Sequence, residues 1–304
     1  MNSTTQSSEK PDNIPLAVSV IVVTVFALSL GDALIKMTSS NFVIWQIFVI
    51  RSLLAIPCLI AFMVFTAKAS LRIPRAPGWT VLRSILLMSM WVSYYISLPN
   101  LTLSVAAAAY YTLPIFITLF SAAIVGDRIT RLGWIAVLVG FFGVLLILRP
   151  KAGDFNWYAL LPLLSAIFYA FAMILTRTKC RSEHPLMLSL ALNICFVLVG
   201  SIVAAIIAMF PDESRQGFLL APWAELGLAE WFSMSLLAIA ILIGSIGAAI
   251  AYQNGPSSMI GTFDFAYVGF AVIWGIAFFD EIPDGVSIIG MLLIVVAGIM
   301  SLRQ

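Results

Sequence analysis

Apolar runs of helical length follow one another along the whole chain, separated by short polar or Pro/Gly breaks. They lie at approximately residues 14–37, 42–66, 79–98, 101–124, 131–149, 156–177, 186–210, 231–253, 258–279 and 285–302. A helix needs about 20 mostly apolar residues to cross the hydrocarbon core of a bilayer, and each run meets or approaches that length. Punctuation supports the divisions: Pro74 and Pro77 precede the third run, Pro99-Asn100 follows it, Arg149-Pro150-Lys151 follows the fifth, and Asn254-Gly255-Pro256 follows the eighth. The break between the third and fourth runs carries no charge. The pattern predicts an all-α integral membrane protein with ten transmembrane helices.

Composition agrees. Of the residues, 62% are hydrophobic and 10% charged, where soluble domains hold about 45–50% apolar and about 25% charged residues. The polar segment 1–13 has no basic region or small-residue cleavage site, so it reads as a tail and the first run as a retained anchor. Lys and Arg set the orientation, because basic loops stay cytoplasmic. With both termini inside, the inner segments hold Lys10, Lys68, Arg72, Arg75, Arg83, Arg128, Arg131, Arg177, Lys179, Arg181 and Arg303, and the outer ones only Lys36, Arg149, Lys151 and Arg215. The net charge of +2 is then a matter of topology. No basic arm or patch of the kind that tracks phosphate is present, so nucleic acid is not an expected partner.

The end of each half repeats a design. An apolar helix runs into a short acidic turn, Gly126-Asp127-Arg128 or Asp280-Glu281-Ile282, and a Gly-dotted helix follows. The spacing recurs after five spans, an odd number, so the second half would be inserted upside down relative to the first. Inverted repeats are a hallmark of secondary transporters that bind cargo near the bilayer midplane. The expected organisation is a tail at 1–13, a first five-helix repeat at 14–149 and a second at 156–302.

Three segments carry a family resemblance: GDALIKMTSS followed by Arg51-Ser52, YYTLPIFITLFSAAIVGDR with Pro114, and FDFAYVGFAVIWGIAFFDE before the Gly-rich last helix. In this order and spacing the chain resembles a bacterial member of the drug/metabolite transporter superfamily, of the EamA type, over nearly all of residues 14–302. The resemblance implies ten helices in a five-plus-five inverted arrangement, a central cavity and alternating access. One position departs from it. Where such proteins often have a proline matching Pro114, this chain has Val268, so any kink in the ninth helix is expected at Gly269 or not at all.

Charges inside the bilayer are costly, about 2.5–3.5 kcal/mol at a helix centre on insertion scales, and normally face the bundle interior, pair, and mark a functional path. Asp32, Arg51 and Asp264 stand in this position. Asp32 and Lys36 share a helix face and can pair, with Lys36 near the outer interface. Arg51 cannot be neutralised by losing a proton and needs an anion; Asp32 could supply one as a structural pair, or a substrate carboxylate could. Asp264 has no basic residue in its own helix, so it either faces the cavity and binds cargo or a proton, or packs by hydrogen-bonding backbone. Among the aromatics, Trp79, Trp157 and Trp231 fit an interfacial belt. Trp91, Tyr94, Tyr110 and Tyr267 lie deeper and are expected on the cavity wall, where rings can stack on planar cargo or meet cations. The small residues Ala106 to Ala109, Gly244, Gly247 and Gly261 suit close helix packing, and Pro57, Pro114 and Pro162 mark points of bending.

Other chemistries lack their residues. His184, the single histidine, has no partner at ligand spacing, and Cys58, Cys180 and Cys195 are scattered, so neither a metal site nor a disulfide framework is expected. No phosphate-binding loop appears, and no cofactor is expected. The sequence therefore predicts a secondary transporter of the bacterial inner membrane for a small polar metabolite: an amino acid, amine or zwitterion. Its expected binding residues are Asp32, Arg51, Trp91, Tyr94, Tyr110, Asp264 and Tyr267. Two alternatives stand beside it: a transporter of planar aromatic or vitamin/nucleoside-derived cations, and an integral-membrane enzyme acting on a lipid-linked substrate. Acids lining a central cavity would favour transport; acids clustered at one interface would favour the enzyme. Oligomeric state stays open.

Overall fold

The computed structural model describes residues 12–38, 42–66, 74–97, 109–148, 157–279 and 284–301. The described elements are helical and follow the ten runs in order: α1 (Ile14–Thr38), α2 (Ile44–Thr66), α3 (Pro77–Ser97), α4 (Leu113–Phe120, extended by a π-turn Ser121–Val125), α5 (Arg131–Leu148), α6 (Leu160–Thr178), α7 (Pro185–Ile207), α8 (Leu228–Asn254), α9 (Ser257–Phe263), α10 (Ala266–Phe279) and α11 (Gly285–Ser301). Five of these are long and apolar enough to cross a membrane by length and composition, and α4, α5 and α11 contribute shorter apolar helices. Helices satisfy their backbone groups within the segment, which is what a bilayer requires. Large apolar side chains such as Phe65 and Leu228 accordingly point outward, 88% and 91% exposed. In a soluble protein that surface would be a liability; in lipid it is the solvated face.

Helices from the two parts of the chain interleave. α1 packs against α8 and α10, α2 against α7, α3 against α6, and α5 against α11. Lipid gives no hydrophobic drive for association, so close approach must come from small side chains. On α8, Cβ atoms added at Gly244 and Gly247 would run into Leu28 and Thr24 of α1, and on α9 one added at Gly261 would press on Ile117 of α4. The tightest backbone approach joins α5 to α11, where a Cβ on Gly143 would stand 2.6 Å from the Gly290 carbonyl oxygen.

Helix ends show local chemistry. His184 caps α7, its Nδ1 accepting the Leu186 N–H at 3.3 Å. The acidic turn after α4 is structural, as expected: Gly126 takes a left-handed φ of 80°, and the Ser121 hydroxyl donates to the Asp127 carboxylate. The matching turn at Asp280-Glu281 lies outside the described residues, as do Ala106 to Ala108 and the break between the third and fourth runs.

Two expectations need correction. Pro162 falls in the first turn of α6, where a missing N–H costs nothing, so it begins a helix instead of bending one; Pro114 opens α4 directly after an interruption of the fourth run, and Pro57 sits well inside a helix. The ninth run does break, but not at Gly269. The interruption lies at Asp264-Phe265, between α9 and α10. The fourth run is interrupted at Tyr111-Thr112, immediately before α4. If Pro114 is matched with Val268, these two breaks fall opposite each other, with Tyr110 opposite Asp264. A proline is thus not needed for the second break. The side chain of Phe265 is fully buried, packed in a cluster with Tyr111, Val144 and Ile294, and this burial holds the turn.

Glycine substitutions test the packing. Gly143→Val should lower the melting temperature in detergent, because overpacking a tight contact typically costs about 1–3 kcal/mol. Gly269→Ala meets nothing within 4 Å and should hold or raise it; equal losses in the two variants would contradict this arrangement.

Candidate functional site

A small cavity of about 70 Å³ lies within the helices, lined by Asp32, Trp91, Tyr94, Tyr110, Asp264 and Tyr267 together with Val25, Leu28, Met90, Tyr111, Leu113 and Tyr169. Six of the seven residues expected at a binding site therefore share one wall. The seventh, Arg51, is buried behind it. Its guanidinium carbon lies 5.6 Å from the Trp91 ring centroid and 4.8 Å from those of Phe48 and Phe196.

The acids are held by phenols. Asp32, half-buried at the cavity wall, accepts from the Tyr267 hydroxyl and, at 3.4 Å, from Tyr95. Asp264 is 4% exposed and accepts from the Tyr252 hydroxyl. The break between α9 and α10 places it there: the chain turns at Asp264, so its carboxylate leaves the helix line and enters the cavity. Such hydrogen bonds are each worth about 0.5–1.5 kcal/mol to a neutral acceptor and about 1.5–3 kcal/mol to a charged one, enough to orient both carboxyl groups. Rings continue around the wall, with Tyr94 and Tyr110 centroids 5.2 Å apart, Tyr111 and Tyr267 5.4 Å apart, and Trp91 stacked on Tyr95 at 5.4 Å.

Asp32 and Arg51 do not form an ion pair, in contrast to Asp12, which pairs with Arg177 and Arg181. Arg51 is 3% exposed, and its Nε and Nη2 have no hydrogen-bond partner. Aromatic faces give this cation its company, worth about 2 kcal/mol or more when desolvated, but they do not satisfy its N–H donors. The expected Asp32–Lys36 pair lies outside the described residues, since the Lys36 side chain is not among them.

One end of the bundle is tied shut. Arg177 grips Asp12 through both oxygens at 2.6 and 2.8 Å, and Arg181 donates to the same carboxylate at 2.6 Å. The Asn13 N–H donates to the Asn254 carbonyl at 2.8 Å. Gln253 donates to the carbonyls of Cys180 and Glu183 at 2.6 and 2.9 Å, and Glu183 accepts the Ala76 N–H at 2.8 Å. These bonds join the starts of α1 and α3 to the α6–α7 turn and the end of α8. At the opposite end Gln46 clamps Ala224 with both ends of its amide, at 2.6 and 2.9 Å, and Trp45 donates to the Leu219 carbonyl at 2.9 Å.

The phenols Tyr95, Tyr111, Tyr169 and Tyr252 were not among the expected binding residues. Sequence spacing could not find them, because Tyr95 and Tyr252 meet their acids from other helices, while Tyr111 and Tyr169 reach the cavity wall through tertiary packing. Arg83, expected among the cytoplasmic charges, is fully buried in α3; its place inside an apolar run was the signal.

Residues 15–149 match the EamA-like transporter family. The pseudopaline exporter CntI of Pseudomonas aeruginosa is 26% identical over 94% of this chain and 95% of its own length. The chain therefore carries an EamA-like domain in its first half, and its relatives are transporters of the drug/metabolite transporter superfamily. A riboflavin transporter of Rhizobium johnstonii is 26% identical over 74% of this chain and 70% of its own, and an S-adenosylmethionine uptake transporter of Rickettsia prowazekii 24% over 88% of this chain and 86% of its own. A solved crystal structure shares the fold with a TM-score of 0.77 at 18% identity, over 94% of this chain and 98% of that one. The chain's transporter relatives and apolar helices support a multi-pass membrane transporter, and Asp32 and Asp264 line a cavity within the helices.

The ties at the Asp12 end give a direct prediction. Exposed pairs contribute about 0–1 kcal/mol each and a bidentate network somewhat more, so Asp12→Asn should cost a modest amount of stability without unfolding the protein. In a Cys58→Ser, Cys195→Ser background it should nonetheless speed alkylation of the fully buried Cys180 by a permeant maleimide severalfold; labelling at the wild-type rate would show that these contacts close nothing.

Proposed function

We propose that the protein is a secondary active transporter for a small polar metabolite bearing both an amine and a carboxylate, working by alternating access with both termini in the cytoplasm. The observation that carries this reading is a pair of fixed carboxylates on the wall of one aromatic cavity with an unsatisfied guanidinium buried directly behind Trp91 of that wall. Asp32 and Asp264 are oriented by phenols and can accept an ammonium group. Arg51 retains free donors beside Trp91 and can receive a carboxylate. An unpaired charge buried in a protein costs several kcal/mol, which binding of a complementary cargo would recover.

The cavity supports a cycle as well as a site. At about 70 Å³ it holds a few waters, far below the roughly 300–1,000 Å³ of ligand pockets, so cargo enters only when helices separate. On the proposed orientation the tied Asp12 end faces the cytoplasm. Two five-helix halves in inverted order, 14–149 and 156–302, would rock about the broken fourth and ninth runs, each exposing the cavity to one side in turn. Protons would couple through Asp32 or Asp264, either of which can hold a proton in one state and release it in another.

A second reading has its own support. The ring wall from Trp91 to Tyr267 suits a planar aromatic cargo or a vitamin- or nucleoside-derived cation, and two relatives are named as a riboflavin transporter and an S-adenosylmethionine uptake transporter. The relative named as a pseudopaline exporter covers most of the chain and agrees with a polar cargo moved outward.

A thermal-shift screen separates the two. Amino acids, primary amines, quaternary ammonium compounds and vitamins are added to the purified protein; a ligand at 100 times its Kd stabilises by about 2.7 kcal/mol. The expected result is stabilisation by amino-acid-like compounds, lost in Asp264→Asn and Asp32→Asn. Stabilisation by flat cations without a carboxylate would support the second reading, and variants that respond as the wild type does would remove both acids from the site.

A further inference from the structure

Arg83 presents the same problem as Arg51 in a different place. It lies early in α3, near the Asp12 end, and is fully buried. Its Nε donates to the Thr176 hydroxyl at 2.6 Å, which fixes the plane of the group. Nη1 and Nη2 have no partner, and neither does the hydroxyl of Thr80, one turn away. Among the described residues no carboxylate forms an ion pair with it. The polar groups within electrostatic reach are the Cys180 thiol and the Tyr169 phenol. Tyr169 lines the central cavity with Asp264, while the Cys180 carbonyl is held by Gln253 in the closure at the Asp12 end. Arg83 thus stands between the cavity and the closed mouth.

The chemistry of the free edge is specific. With Nε occupied, the two terminal nitrogens form a fork of parallel N–H donors, the geometry that meets both oxygens of one oxyanion. No structural gain explains leaving that fork empty in a dry place, where an uncompensated cation costs several kcal/mol. We propose that Arg83 is a second oxyanion site on the transport path, filled by a carboxylate when the Asp12 end opens. Arg51 would hold the cargo's carboxylate behind the Trp91 wall of the cavity once that wall opens, and Arg83 would receive it on the way to or from the cytoplasm. This assignment rests on the transport reading above, but the site itself is tested without any identified cargo.

Closed, the structure excludes ligand from Arg83; open, it admits it. A ligand that binds only the open state shifts the population toward it. The test uses the full chain in nanodiscs with Cys58→Ser, Cys195→Ser and Asp12→Asn, and follows maleimide labelling of Cys180. Glutamate, inorganic phosphate and chloride are compared at matched ionic strength. Glutamate is expected to accelerate labelling about threefold or more, chloride not at all, and Arg83→Gln should abolish the acceleration. Acceleration by phosphate but not glutamate would reassign the site to a free phosphate group and overturn its role for cargo carboxylate. Equal response in Arg83→Gln, no response to either oxyanion, or no labelling of Cys180 would overturn the site altogether. Arg83→Met guards against a folding artefact: a guanidinium with a ligand role leaves the melting temperature unchanged or raised when removed, whereas a fall in both variants would mark it as structural and overturn the proposal. A failed ligand screen with the Asp32 and Asp264 variants would strike the central cavity alone and leave the Cys180 response standing.

Discussion

A guanidinium inside a bilayer must be surrounded by something. Arg51 and Arg83 cannot shed a proton, water does not reach them in this state, and the protein gives each less than a full set of acceptors. Much of the molecule can be understood as an answer to that constraint. Phe48, Trp91 and Phe196 offer π-faces to one cation; Thr176 offers a single oxygen to the other. Asp32, the carboxylate within electrostatic reach of Arg51, forms no ion pair with it and is held by tyrosines. Charges that could pair and do not are available for something that arrives from outside.

The helices make that arrangement possible by ordinary packing. Small residues bring α5 onto α11 and α1 onto α8, and this rigid frame carries a polar interior that lipid would not tolerate. The interruption at Asp264-Phe265 is the point where frame and site meet. Phe265, clustered with Tyr111, Val144 and Ile294, anchors one side of the turn, and Asp264, tied to Tyr252, occupies the other. Backbone freed by such a break is accepted within a membrane protein only where it is buried in protein or lines a cavity.

The order and extent of the helices were legible in the sequence, because a run of apolar residues bounded by Pro, Gly or charge has few other solutions in lipid. So was most of the cavity wall: intramembrane acids and deep aromatics are expensive, and expense narrows the places they can occupy. What could not be read was who meets whom. Asp32 was matched with Arg51 or Lys36 because they are near in sequence, yet its described partners are Tyr267 and Tyr95, which come from α10 and α3. The helix break was sought at a glycine, by analogy with the proline of the first half, while a buried aromatic anchor produced it a turn earlier. Arg83 was counted among cytoplasmic charges because it stands near a helix end, although its place inside an apolar run pointed to the burial that the packing shows.

The central claim is that Arg51 lacks a protein partner because cargo provides one. Counterflow in proteoliposomes tests it most directly, comparing labelled amino acids with the amines that correspond to them without a carboxylate, in wild type and Arg51→Met. The account predicts that wild type prefers the carboxylate-bearing compounds and that Arg51→Met loses this preference while still exchanging the amines. If Arg51→Met keeps the wild-type preference, the guanidinium does not bind cargo, and its burial among the rings has a structural cause.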